Sequence, residues 1–227
     1  MKTSAVIVAG GKGKRMGAEM NKVFLEVYGK EIISRTISVF NSCPVIDEII
    51  IVTATDDIEK MQEIIRRDGY EKVVKITEGG RERSDSVCNG LQYATGDIVL
   101  IHDGARCLIS QTEIENVISD TLHFGASAVG VKVKDTLKRI DDFGNIISTV
   151  DRNFTVHIQT PQCFKATEIL ALHKSAKSEN ALFTDDCSIF EYYGKTVHLT
   201  VGSYDNIKIT TPEDIAVAEE ILKRRER

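Results

Sequence analysis

Chemistry is most concentrated at Ala9-Gly10-Gly11-Lys12-Gly13-Lys14-Arg15-Met16, directly after a short β-branched run. Glycines let backbone N–H groups approach phosphate oxygens, and Lys12, Lys14 and Arg15 add positive charge. The stretch is not a Walker A loop, because no Gly-Lys pair is followed by Ser or Thr. Nor is it a dinucleotide fingerprint, since Met16 stands where a third glycine is required. A structural turn with a solvated basic face is the plainer alternative. Lys22, in Asn21-Lys22-Val23, supplies a second cation able to reach the same polyphosphate. Such a pair at ~4 Å gains roughly 4 kcal/mol of gross Coulomb energy at an effective dielectric of ~20.

A second glycine pair opens Gly79-Gly80-Arg81-Glu82-Arg83-Ser84-Asp85-Ser86-Val87, which runs into a helical pattern through Leu91. Ser84 or Ser86 can cap that helix, or stand with exposed backbone amides beside a ligand. Neither sits in a nucleophile elbow, so a catalytic serine is disfavoured. Ile101-His102-Asp103-Gly104-Ala105-Arg106 closes an apolar strand. Asp103 there can help hold Mg²⁺ or bond a hydroxyl, while His102 reads as a satisfied core histidine. The five histidines show no metal-ligand spacing. Asp135-Thr136, Arg152, Gln159-Thr160-Pro161-Gln162, Thr184-Asp185-Asp186 and Asn206-Ile207-Lys208-Ile209-Thr210 are polar clusters that punctuate apolar runs. Singly each reads as a turn or cap; together they suggest a second, polar substrate beside the nucleotide.

These residues must be held by something, and the surrounding pattern alternates strand and helix. Thr3–Ala9, Glu48–Thr53, Asp97–His102 and Ala126–Lys132 read as strands. Ile32, Ile33, Thr36, Ile37 and Phe40 recur at helical spacing, as do Ile58, Met61, Ile64 and Ile65 within Asp57–Arg67. Such alternation predicts an α/β domain with a mostly parallel sheet covered by helices on both faces. Asp135–Ile158 departs from it: Asp141-Asp142-Phe143-Gly144-Asn145 is turn chemistry, so a projecting β-hairpin or arm is expected. Thr211-Pro212-Glu213-Asp214 opens a last helix with a cap, a first-turn proline and acids, and Lys223-Arg224-Arg225 closes it. Residues 1–227 are thus read as one domain with an insertion at about 135–158.

Bulk composition excludes several classes. Hydrophobic residues make up 42% and charged ones 28%, ordinary for a soluble globular chain. No apolar run approaches ~20 residues, so no membrane span is expected, and no secretory leader is visible. Five scattered cysteines without a C-x-x-C pair read as reduced thiols of a cytoplasmic protein. A net charge of -5 argues against nucleic acid as a partner. That figure averages two regions, because Met1–Arg35 carries +4 and the remainder -9.

Taken together, these motifs resemble the cytidylyltransferases of isoprenoid biosynthesis that join CTP to 2-C-methyl-D-erythritol 4-phosphate. The resemblance runs from Ala9–Met16 and Lys22 through Gly79-Gly80-x-x-Arg83-x-x-Ser86-Val87, His102-Asp103-x-Ala105-Arg106 and Asp135-Thr136-x-Lys138. It continues through Gln159-Thr160-Pro161-Gln162-x-Phe164, Thr184-Asp185-Asp186 and Asn206-Ile207-Lys208-x-Thr210. It implies a Rossmann-like nucleotidyltransferase (GT-A-like) fold and a requirement for Mg²⁺, held mostly by CTP phosphates with Asp103 as the protein's contribution. Arg15, Lys22 and Lys208 would stabilise the triphosphate and the reacting α-phosphate. Ala9, Gly10, Gly11 and Gly13 would lie along the nucleotide, and Gly80, Arg83 and Ser86 around cytosine and ribose. Asp103, Arg106, Thr136, Arg152 and Thr184 would hold the polyol phosphate. Thr136 and Arg152 would come from the arm of a second subunit in a homodimer. Asn21 departs from the family pattern, which has proline there; Val23, Gly104 and Cys107 also depart. Ribitol 5-phosphate cytidylyltransferases share most motifs and are the nearest alternative. A non-catalytic nucleotide-binding regulator is the alternative of a different class.

Overall fold

The structure is a computed structural model describing residues 1–11, 21–179 and 181–226, so Gly13 and Arg15 lie outside the described residues. The chain begins with β1 (Thr3–Val8), a short ribbon of β2 (Glu26–Val27) and β3 (Lys30–Glu31), and α1 (Ile32–Ser42). Strand and helix then alternate through β4 (Glu48–Thr53), α2 (Ile58–Asp68), β5 (Val73–Glu78), α3 (Arg83–Leu91), β6 (Ile98–Asp103), α4 (Gln111–Phe124) and β7 (Ala126–Lys132). The remainder is β8 (Lys138–Ile140), β9 (Ile146–Thr149), β10 (Val156–Lys165), α5 (Ala166–Ser178), α6 (Asp186–Tyr192), β11 (His198–Val201) and α7 (Pro212–Arg225).

Among the described residues, seven strands form the central sheet in the order β11-β7-β10-β6-β1-β4-β5. β10 runs antiparallel to both neighbours, and the other pairs follow one direction. The mostly parallel expectation therefore holds, with one reversed strand. Period-2 alternation sorts β1 between two cores. Ala5 and Ile7 pack with Ile33 and Phe40 of α1, Met61 of α2 and Ile114 of α4. Val6 turns the other way, onto Val87 and Leu91 of α3, Ile169 of α5 and Phe190 of α6. Helices cover both faces, so β1, β4 and β6 read as unbroken apolar runs.

Chain order reverses at β1: β4 and β5 lie to one side, β6 to the other. Open α/β sheets bind ligands at the carboxyl ends of the strands flanking such a reversal. Two bonds tie those ends together here, Gly104 N to Val8 O at 2.8 Å and Ala9 N to Val52 O at 2.7 Å.

The last helix opens as its sequence predicts, with a capping box between Thr211 and Asp214 and proline in its first turn. Ala218 and Ile221 are buried against Val27, Ile32 and Ile209, which anchors the segment carrying Lys208. Within the expected arm of about 135–158, β8 and β9 form a hairpin, whereas Val156–Ile158 pair with β7 in the central sheet. β8 and β9 pair antiparallel, and Asp141 closes the turn by accepting hydrogen bonds from the Phe143 and Asn145 amides. Every residue of both arm strands is exposed. Among the described residues no helix is long and apolar enough to cross a membrane.

Candidate active site

A cleft of about 550 Å³ lies at the sheet reversal. The loop after β1 contributes Ala9, Gly10 and Gly11, and the segment after β5 contributes Gly80, Arg83 and Ser86. Asp103 enters from the end of β6, with Lys22 and Lys208 from two segments far apart in sequence. Thr210, from the Asn206–Thr210 cluster, also lines it, as do Arg81 and Glu82, which sequence reasoning did not single out. Arg81 stood inside a quoted motif as a variable position, so its exposure beside the cleft became visible only in three dimensions.

Lys22 and Lys208 are brought together by backbone. Asn21 begins a turn of 3-10 helix, Lys22–Phe24, whose Val23 and Phe24 are buried. The Lys22 ammonium donates to the Ile209 carbonyl at 2.7 Å. Ile209 N in turn bonds Ala105 O at 2.9 Å, fixing the Lys208 segment to the end of β6. One carbonyl thus links the two lysines that the sequence suggested for one task.

Asp103 is the electrostatic centre. Lys208 donates to its Oδ2 at 2.8 Å, Arg83 approaches Oδ1 at 3.5 Å and Arg106 approaches Oδ2 at 3.6 Å. Burial opposes ionisation of Asp103, but Arg83, Lys208 and Arg106 outweigh it and hold the carboxyl well below its ordinary range. Arg83 is shared with Asp186, whose Oδ2 lies 2.8 Å from Nη1. Asp186 is fully buried and its other oxygen meets His173 Nε2 at 3.0 Å. Arg83 is accordingly a structural cation between two carboxylates as well as part of the cleft wall.

His102 matches its expected core role. The Thr160 hydroxyl accepts from Asp103 N–H at 3.0 Å and meets His102 Nδ1 at 3.0 Å, while Nε2 meets Arg106 O at 3.1 Å. Burial lowers its pKa to about 4, so the ring is neutral near pH 7. All five cysteines are free and buried, and burial raises Cys107 to about 11 and Cys163 to about 12.

The hydrogen bonds decide two points that the sequence left open. Neither Ser84 nor Ser86 caps α3; Glu82 occupies that position in a capping box with Asp85. Ser86 instead accepts from Gly80 N–H at 3.0 Å and donates to Glu82 O at 3.1 Å, clasping the glycine loop. A Cβ on Gly80 would sit 2.1 Å from the Asp85 Cβ, so this close approach demands glycine. The second concerns the late polar clusters, several of which bond one another as the turn or cap reading of each expects. Gln162 caps α6 by accepting from the Asp186 and Cys187 amides, and Asn206 donates to Thr160 O. Of the Asn206–Thr210 cluster, Lys208 and Thr210 reach the cleft.

The remaining suggested substrate residues stand apart from the cleft lining. Arg106 is largely buried and donates to Asn206 O at 2.9 Å, behind Asp103. Thr184 is exposed just before α6. Thr136 and Arg152 lie exposed on and beside the arm, Arg152 bonding Lys134 O at 3.3 Å.

No group of three or more His, Cys, Asp or Glu side chains able to hold a metal is present among the described residues. Asp103 faces three cations, which disfavours a protein-built divalent-cation site there. The described residues thus do not fit a metal held by the protein alone.

The cleft thus brings glycines and cations together at the sheet reversal. The family model for IspD, 2-C-methyl-D-erythritol 4-phosphate cytidylyltransferase, matches residues 3–224. A 2-C-methyl-D-erythritol 4-phosphate cytidylyltransferase of Clostridium perfringens (strain SM101) is 48% identical over 223 residues, covering 98% of this chain and 99% of that protein. One from a type A Clostridium botulinum is 47% identical over 225 residues, covering 98% of each. The crystal structure of 4-diphosphocytidyl-2C-methyl-D-erythritol synthase from Anaerococcus prevotii superposes with a TM-score of 0.87 at 32% identity, over 98% of this chain and 96% of that one. The Thermus thermophilus cytidylyltransferase gives 0.78 at 25% identity, over 96% and 98%. The chain is therefore an enzyme of the nucleotidyltransferase class and belongs to the 2-C-methyl-D-erythritol 4-phosphate cytidylyltransferase family.

Proposed function

We propose that the cleft joins CTP to 2-C-methyl-D-erythritol 4-phosphate, giving 4-diphosphocytidyl-2-C-methyl-D-erythritol and pyrophosphate. The observation that carries this reading is the convergence of Lys22 and Lys208 on the glycine loop at the sheet reversal. A phosphate oxygen of the polyol phosphate attacks the α-phosphorus of CTP. One P–O bond forms, the bond to the bridging oxygen breaks, and its electron pair leaves with pyrophosphate. That oxygen is already anionic, so no general base is needed, and catalysis is positioning plus charge neutralisation. Lys22, Lys208 and Arg15 are assigned to the charge that builds on the phosphates. Ala9, Gly10, Gly11 and Gly13 are assigned to the triphosphate path, and Gly80, Arg83 and Ser86 to the nucleoside.

Asp103 and Arg106 are assigned to the polyol phosphate, with Thr184, Thr136 and Arg152. The last two line no part of their own chain's cleft, which supports supply from a second copy. The arm supports the same reading. An isolated two-stranded ribbon is marginal in water, yet Phe143 is 90% exposed and Ile147 65%. Phe154, beside the arm, is 89% exposed. We place these side chains in a homodimer interface. Mg²⁺ would enter with CTP, carried mostly by its phosphates and neutralising their charge, and Asp103 would be the chain's own contribution to holding it. Five buried free thiols suit a reducing cytoplasm.

The test is product identity. Incubation with CTP, the polyol phosphate and Mg²⁺ should give one pyrophosphate per diphosphate-bridged product by phosphorus NMR. CTP consumed without that bridged product, or no turnover, would overturn the proposal.

A further inference from the structure

Asn21 makes more of its side chain than any cap requires. Its Nδ2 donates to the Ala9 carbonyl at 2.8 Å and to Asp57 Oδ2 at 2.8 Å, while Oδ1 accepts from Val23 N–H at 3.3 Å. The residue is 8% exposed, so these bonds are shielded from water. Each partner has one possible role. The Ala9 carbonyl and the Asp57 Oδ2 accept here, and a backbone N–H only donates. Among side chains of this size, asparagine alone offers two donors and an acceptor in that arrangement. Aspartate would set oxygen against oxygen at both Ala9 and Asp57, and serine has one hydrogen to give.

Three segments meet at this carboxamide. Ala9 directly follows the first strand and precedes Gly10-Gly11, Asp57 stands at the start of α2, and Val23 lies in the turn that begins with Lys22. Asn21 is thus the tie between the base of the glycine-rich loop and the turn that aims Lys22 at Ile209 O. Its backbone φ of -58° is one that proline also adopts, which explains why the related sequence pattern can carry proline at this place. Proline stiffens the chain there but bonds nothing; asparagine holds the neighbouring segments directly.

We propose that Asn21, with Asp57 as its partner, is a positioning residue for the transfer reaction, acting through Lys22. This rests on the assignment of Lys22 as a cation at the reacting phosphates. The tie fixes where the ammonium stands relative to the loop, and misplacement by about 1 Å can cost up to ~10²-fold in rate.

The test compares kcat and KM for CTP in Asn21→Ala, Asn21→Asp, Asn21→Asp/Asp57→Asn, Lys22→Ala and Asn21→Ala/Lys22→Ala, assayed at a temperature where thermal melts show each fully folded. Asn21→Ala should lower kcat by roughly tenfold or more with KM changed less than kcat. Asn21→Asp should lose more, because it faces the Asp57 carboxylate. Adding Asp57→Asn should restore part of that loss, since donor and acceptor are then exchanged at that contact while the Ala9 carbonyl still faces an oxygen. In the Lys22→Ala background, Asn21→Ala should cost less than ~threefold, the signature of two residues acting as one unit. Normal kcat in Asn21→Ala, beside an impaired Lys22→Ala, overturns the tie and leaves the role of Lys22 standing. Full additivity of the two, or no rescue by Asp57→Asn, also overturns it. Normal kcat in Lys22→Ala overturns both assignments together.

Discussion

Arg83 offers the sharpest quantitative prediction, because its loss strands buried charge. Its guanidinium spans Asp186 at 2.8 Å and Asp103 at 3.5 Å, and Asp186 is fully buried. Breaking one side of a buried pair typically costs 3–5 kcal/mol, since the surviving charge is left without its partner. Asp103 keeps Lys208 and Arg106, so most of the penalty falls on Asp186, which keeps His173. Arg83 borders an open cleft, so water can enter the space it leaves and reduce the penalty. The low end, about 3 kcal/mol, is therefore expected for Arg83→Ala. For a chain of this length that corresponds to a melting-temperature drop of roughly 6–12 °C. The assay is urea unfolding at pH 7, with a calorimetric melt beside it. Arg83→Ala/Asp186→Asn should regain part of the loss, because the abandoned carboxylate is then neutral. A loss under about 1 kcal/mol, or a double variant weaker than the single by the full cost of each change, would refute the counter-ion argument.

Further expectations follow from the same geometry. Glu48, buried at the amino end of β4, accepts hydrogen bonds from Ser4 and Thr95 and pairs with Lys2; burial alone would raise its pKa, but these partners bring it down to about 2. A depressed folded value stabilises above the ordinary 4.5 and is lost as pH falls toward 2, a difference of about 3 kcal/mol. Glu48→Gln should thus lose most of that at pH 7 and nothing near pH 2, by denaturant titration at each pH; an equal deficit at both would contradict the linkage. Lys208→Ala, Lys22→Ala and Arg15→Ala should each lower turnover by ~10²-fold if each contributes about 3 kcal/mol at the transition state, and near-normal kcat would remove that residue from the set. Phe154→Arg should convert the proposed dimer to monomer in analytical ultracentrifugation, and an unchanged sedimentation coefficient would move the interface elsewhere.

Local pattern carried the fold well because the decisive features are local. Apolar runs such as Glu48–Thr53 have one reading once helices flank them, and Thr211-Pro212 announces a helix start by itself. The reversed direction of β10 had no such signal, since parallel and antiparallel strands buried on both faces share a pattern. At the site, Ala9–Gly11, Lys22, Gly80, Asp103 and Lys208 were visible because glycines and cations at strand ends have few other uses. Ser86 and Gln162 each kept two readings in the sequence for a physical reason. A hydroxyl or carboxamide can serve ligand or backbone equally, and only three-dimensional partners such as Gly80 N–H and the Asp186 amide decide. Arg83 had two roles where its motif suggested one, because Asp186 lies 103 residues away.

Substrate discrimination is the most direct test of the central claim that this cleft transfers a cytidylyl group to a methylerythritol phosphate. Pyrophosphate release should be followed with CTP and Mg²⁺ at equal concentrations of 2-C-methyl-D-erythritol 4-phosphate or ribitol 5-phosphate. The account predicts saturable release with the first, and kcat/KM at least ~10²-fold lower with the second. Release driven equally or better by ribitol 5-phosphate, or by neither polyol, would contradict it.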